Sequence, residues 1–187
     1  MADALYNLIV IDTEAGGLDP LQHSIIELGA VHCGTGRKFS VLIDEGPQRC
    51  LTKSAERIHG ITEEEIRERG VTPAVAVSLF EDWLYDVCGT SRPRIAGHNV
   101  TFDDNMLRRL YRLAEASYEL DFRTIDTHTV FWLMGQMGLL PFERITTQRV
   151  FDHFGIEVPS GQRHRALADA EATCKAFRRA IELLLPA

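Results

Sequence analysis

Residues 5–12, LYNLIVID, form a short, almost wholly apolar and β-branched run that ends in a carboxylate. Such a run is buried on both faces only as an inner strand of a sheet covered by helices. Gly16-Gly17 and Asp19-Pro20 then break it with turn-forming residues. Between run and turn lies Asp12-Thr13-Glu14. Residues two apart on an extended chain face the same side, so two carboxylates leave the end of an apolar strand together. Side by side they raise each other's pKa unless a cation intervenes. Taken alone, the pair is better explained by a solvated strand end followed by a turn.

The pattern downstream alternates in kind. Residues 24–33 (SIIELGAVHC) and 37–43 (RKFSVLI) predict two more strands, joined by the turn Gly34-Thr35-Gly36. Connections this short make the three strands antiparallel neighbours. Two short helical pieces follow, near residues 54–58 and 62–67. Pro73 opens a helix to about Val87, with Val77, Phe80, Leu84 and Val87 on one face. Residues 94–98 predict a strand. Asn99 or Thr101 then caps a helix to Ala116, with Leu107, Leu110 and Leu113 inward. Residues 122–126 predict the last strand, and helices over 127–136, 145–154 and 166–185 finish the chain. With no repeat or linker, residues 1–187 predict one α/β domain, a mixed five-stranded sheet with helices on both faces.

Composition narrows the function classes. A chain of 187 residues, 45% apolar and 25% charged, builds a core without disulfides. The net charge of −7 argues against a protein that only grips phosphates. It suits one whose acids hold cations that in turn face a phosphate. Cys33, Cys50, Cys88 and Cys174 form no C-x-x-C pair and sit at no zinc-finger spacing, which predicts free thiols in a cytoplasmic protein. Met1-Ala2-Asp3-Ala4 carries no basic leader, and no apolar run nears the roughly 20 residues of a membrane span.

Two further groups carry chemistry. Asp103, in His98-Asn99-Val100-Thr101-Phe102-Asp103, falls in the first turn of a helix, where a carboxylate also complements the helix dipole. Its neighbour Asp104 points elsewhere and is expected to be solvated. The other group is His164-Arg165-Ala166-Leu167-Ala168-Asp169. Five helical residues turn about 140° past a full revolution, so the two ends cannot share a helix face. The arrangement that unites them puts Asp169 on the helix and His164 on the loop before it, with Ser160-Gly161-Gln162 as a flexible entry.

In this order, the motifs D-x-E (Asp12, Glu14), N-x-x-F-D (Asn99, Phe102, Asp103) and H-x-x-x-x-D (His164, Asp169) resemble the DnaQ-like 3′–5′ exonucleases of the DEDDh class, from about Ile9 to Phe177. The resemblance implies a ribonuclease H-like fold and two divalent cations, Mg²⁺ or Mn²⁺. It implies that Asp12 bridges both cations, with Glu14 and Asp169 on one and Asp103 on the other. His164 would take the proton of the attacking water, a task suited to imidazole. Hydrolysis would release nucleoside monophosphates from the 3′ end of DNA, most simply single-stranded.

The same resemblance places Ile58 and His59 between the last two bases and Phe102 on the terminal sugar or base. Asn99 orients the metal-site loop or caps its helix, and Asp126 caps the helix after it. Where many relatives carry two threonines, this chain has Ala15 and Gly16, leaving only backbone N–H groups for the terminal hydroxyl. Residues 136–142 faintly resemble a sliding-clamp peptide, a reading that their place inside the domain disfavours.

Three functions remain: a DNA exonuclease, alone or beside a DNA polymerase; an RNase trimming RNA ends or short oligoribonucleotides; and a non-catalytic binding subunit. The chain ends at Leu185-Pro186-Ala187 without the tail a polymerase-bound subunit often carries, which favours a free-standing enzyme or a trimmed chain. The intact acids and His164 count against the binding subunit.

Overall fold

The computed structural model describes residues 7–90, 92–141, 144–159, 161 and 163–184. Strand β1 (Leu8–Ala15) lies at the centre of a five-stranded sheet ordered β3-β2-β1-β4-β5. It pairs antiparallel with β2 (Ile25–His32) and parallel with β4 (Arg94–Gly97). Both faces of the sheet are covered, which explains why β2 is buried along its whole length. Strand β3 (Lys38–Leu42) extends the antiparallel edge, and β5 (Ile125–Asp126) closes the parallel one.

β1 runs further than its apolar run suggests. Ladder pairs continue through Asp12↔Gly29 and Glu14↔Glu27, and the register shifts between Glu14 and Ala15. The acids therefore lie inside the strand, just before an irregularity of the kind that re-aims side chains. Residues 5 and 6 fall outside the described residues. β5 is shorter than expected: Phe122 is exposed under the Arg123 guanidinium, and Asp121 turns the chain by accepting from the Arg123 N–H.

One face of the sheet carries α3 (Pro73–Cys88) and α4 (Thr101–Leu113). Ile9, Ile11 and Ala15 join Phe80, Leu84, Leu107 and Leu110 in this core. Leu113, expected inward, is partly exposed, at 37%, because α4 ends there; Met106 and Tyr111 are the residues buried beside it. The cap expected from Asn99 or Thr101 is also absent. Val100 holds the cap position without a side-chain bond, because Asn99 adopts φ +60° and gives its N–H to Asp126 at 2.9 Å. Asp104 is half-buried rather than solvated, accepting from Arg108 Nε at 2.8 Å and from the Tyr118 hydroxyl.

The other face carries α7 (Ala166–Leu184), where Leu8 and Val10 pack on Ala170, Cys174 and Phe177. Its first turn is seated on Gly29. A Cβ at that glycine would lie 2.2 Å from the Leu167 nitrogen and 2.3 Å from the Ala166 carbonyl carbon. Helices α5 (Thr127–Gln136) and α6 (Thr147–Phe154) pack with α7 around a second core of Phe131, Phe151 and Phe154. The Asp126 carboxylate accepts from the His128 N–H at 3.0 Å, the cap the sequence predicts. Short helices α1 (Lys53–His59) and α2 (Glu63–Arg69) complete the chain, each capped by a threonine. No described helix is long and apolar enough to cross a membrane. In residues 136–142, Leu140 is buried and Phe142 lies outside the described residues.

Candidate active site

Alternation on β1 sends Asp12 and Glu14 toward α7 and Thr13 toward α4. Asp12 stands opposite Gly29, the point where α7 touches the sheet. The bare glycine thus lets the first turn of α7 deliver Asp169 beside the two strand acids. Glu14, His164 and Asp169 each offer a ligand atom within 4.8 Å of the others. These three with Asp12 and Thr13 line a cavity of about 210 Å³, walled by His98, Thr147 and Phe151. Asp103 approaches from the opposite face of the sheet and is buried, its Oδ1 accepting from the Thr13 hydroxyl at 2.7 Å.

His164 stands on the loop before α7, as its spacing requires, with φ +62°. A non-glycine residue in the left-handed region costs on the order of 1 kcal/mol. Its backbone N–H bonds Asp169 Oδ2 at 3.1 Å, so the acid helps hold the turn that presents the imidazole. Ser160 and Gln162 of the expected entry lie outside the described residues.

The carboxylates lie close together, Asp103 and Asp169 buried and Asp12 and Glu14 half-buried. Burial, then the charges of Asp103, Glu14 and Asp169, holds the Asp12 pKa well above the usual range. Burial, then Asp169, pushes Glu14 up to about 8. Burial also lifts Asp103 to about 7, against the lowering effect of the Thr13 bond. A cluster of hard oxygen donors that resists ionising together is a fit host for dications, which relieve the repulsion and prefer oxygen.

Sequence reasoning missed three partners. Thr13, which the D-x-E pattern leaves without a role, fixes Asp103. Buried Glu27 accepts from the Ala166 N–H at 2.9 Å and pairs with Arg165 Nε and Nη2, anchoring the start of α7. Arg163 pairs with Asp169 and donates to Thr147 Oγ1 at 2.9 Å. An acid opposite a helix start and a base beside a motif are weak signals alone.

The expected nucleotide contacts are placed unevenly. Ile58 is 59% exposed at the end of α1. His59 is turned inward, its Nδ1 accepting from the Ile61 N–H at 3.0 Å, and burial lowers its pKa. Phe102 is half-buried against the α3–α4 core. Ala15 is buried, and the Gly16 N–H already donates to the Ser24 carbonyl at 2.7 Å. Gly16 therefore does not offer a free N–H to a substrate hydroxyl. A Cβ at Gly16 would lie 1.9 Å from the Cys50 oxygen, so that backbone contact, and not substrate, accounts for the glycine.

The exonuclease (RNase T) family matches residues 9–177. DNA polymerase III subunit epsilon of Rickettsia conorii is 28% identical over 175 residues, covering 90% of this chain and 71% of the relative. The PolC-type DNA polymerase III of Thermotoga maritima is 29% identical, covering 94% of this chain and 12% of the relative. The zinc-bound complex of E. coli exonuclease I with single-stranded DNA superposes with a TM-score of 0.75 at 22% identity, covering 96% of this chain and 41% of that one. The nuclease domain of 3′hExo, a DEDDh family member bound to rAMP, gives 0.73 at 16%, covering 95% and 92%. This chain thus spans about two fifths of the exonuclease I chain, and at these identities the likeness establishes a ribonuclease H-like fold.

Proposed function

The chain belongs to the exonuclease family, and on that premise we propose that it is a 3′–5′ exonuclease of the DEDDh kind that removes nucleoside monophosphates from single-stranded DNA with two divalent cations. The observation that carries this reading is the convergence of Glu14, His164 and Asp169 within 4.8 Å, beside Asp12 on β1.

Asp12, Glu14, Asp103 and Asp169 would hold the cations, Mg²⁺ or Mn²⁺. Bound there, such ions stabilise the charge on the attacking and leaving oxygens of an in-line displacement. Asp12 is flanked by Asp103, Glu14 and Asp169, so its carboxylate would serve the cations together with each of them. Thr13 keeps the Asp103 carboxylate aimed. The His164 imidazole, presented at the cavity mouth by its left-handed turn, accepts a proton from the attacking water. Ile58, exposed at the end of α1, offers an apolar surface for a base, while His59, turned inward, holds the end of that helix through the Ile61 N–H. Phe102 packs against the terminal sugar, with Asn99 shaping the loop before it; of Ala15 and Gly16, the backbone of Ala15 is the remaining candidate for the terminal hydroxyl.

DNA is favoured by the curated relatives named as polymerase subunits and by the exonuclease I neighbour in complex with single-stranded DNA. Those names also support a DNA polymerase as a partner, and a cytoplasmic setting accords with the free thiols. A second reading, trimming of RNA ends, is supported by the neighbour bound to rAMP. A digest of end-labelled single-stranded DNA, duplex DNA and RNA with Mg²⁺ or Mn²⁺ tests both. Stepwise shortening from the 3′ end is expected, fastest on single-stranded DNA; faster loss of RNA favours the second reading, and no shortening rejects both.

A further inference from the structure

Arg163 occupies a position that the family motifs do not account for. Its guanidinium pairs with Asp169 Oδ1 inside the acid cavity. It is fixed by two groups outside the acids: Thr147 Oγ1 accepts from Nη2 at 2.9 Å, and the Phe151 ring lies under the guanidinium, 5.2 Å from its carbon. Both anchors belong to α6. Arg163 and Phe151 also border a neighbouring cavity of about 680 Å³, so the guanidinium forms the partition between the acids and open space large enough for a nucleotide.

A fixed monovalent cation bonded to a carboxylate competes with any dication for that carboxylate, and the two positive charges repel each other. Both effects weaken cation binding. A guanidinium that gives up Asp169 keeps its α6 anchors and gains unpaired N–H groups, in a fork that matches phosphate oxygens. We propose that Arg163 is a built-in competitor of the divalent cation for Asp169, and that cation loading hands its guanidinium to the phosphate of the terminal nucleotide. Cation and substrate binding are thereby coupled: the enzyme acquires its phosphate clamp only as the cation arrives. Arg163 is a positioning residue for the cation and a binding residue for the nucleotide.

This inference rests on the exonuclease reading, and its test separates the two. Calorimetric titration with Mn²⁺ alone is expected to show Arg163→Gln binding the ion on the order of tenfold more tightly than the wild type. Arg163→Lys, which keeps the charge, returns the affinity toward the wild-type value. With Mn²⁺ saturating, a nucleoside 5′-monophosphate binds Arg163→Gln several-fold more weakly, and Arg163→Lys recovers part of the loss. Equal or weaker Mn²⁺ binding by Arg163→Gln overturns the competition, and unchanged nucleotide binding overturns the transfer to phosphate. A wild-type protein that shortens no strand defeats the exonuclease reading, yet leaves the Mn²⁺ titration able to decide the competition.

Discussion

The Thr13 hydroxyl donates to Oδ1 of Asp103 across 2.7 Å, joining the residue between the two strand acids to the acid of the facing helix. Because Thr13 points to the opposite side of β1 from Asp12 and Glu14, the strand holds acids on both of its faces in one register. The middle position of D-x-E thus does as much to place the acids as the outer two.

Thr13→Val removes that donor while keeping the shape. Losing one buried hydrogen bond to a carboxylate corresponds to about 1.5 kcal/mol, so kcat is expected to fall about tenfold and the melting temperature by a few degrees. Thr13→Ser restores both. Steady-state rates with thermal melts check this, and an unchanged kcat in Thr13→Val would show that Asp103 needs no such tether.

The Glu14 pKa, raised from 4.5 to about 8, fixes the sign of a pH effect in chelator. A raised folded-state value means that Glu14 contributes stability fully below about pH 4.5 and loses it as pH rises through about 8. Glu14→Gln lacks this loss. Its melting temperature relative to wild type is therefore expected to climb between those values, and saturating Mg²⁺ should close the gap from the wild-type side. A difference that is flat with pH would contradict the burial of that carboxylate.

Gly29→Ala places a methyl against the backbone of Ala166 and Leu167. Neither can yield without lifting α7, so a cost of about 1–3 kcal/mol is expected. Mn²⁺ affinity should fall with it, because Asp169 rides on that helix. Calorimetry that finds full cation affinity in a destabilised variant would separate the helix seat from the site.

His164→Ala is expected to lower kcat by a factor on the order of 10²–10⁴ while leaving KM within a few-fold. Equal damage to both constants would remove His164 from the proton-transfer role.

Ile58→Ala should raise KM for single-stranded DNA several-fold with a stability change within about 0.5 kcal/mol, as for an exposed position. An unaffected KM would leave Ile58 outside the nucleotide path.

Much of this was legible in the sequence because it depends on local pattern. The inner strand, the two antiparallel partners, the helix from Thr127 to Gln136 and the loop position of His164 all follow from periodicity and spacing. What escaped depends on contacts between distant segments. The cap of α4 was assigned to Asn99 or Thr101, but Asp126 takes the Asn99 N–H from 27 residues away. Gly16 was read as an open backbone donor, yet Ser24 and Cys50 enclose it. Arg163 and Thr147 meet only because α6 folds back over the start of α7. Local preference is blind to such pairings.

The seat of α7 on Gly29 has a consequence for how the protein comes into being. The acid set takes its first member from residue 12 and its last from residue 169, and the latter is placed by the seat of α7 on the sheet. During synthesis the N-terminal strands emerge long before α7 does. A nascent or truncated chain therefore carries Asp12 and Glu14 without their counterpart. The acid set is thus assembled only once residues 12 to 169 have folded together.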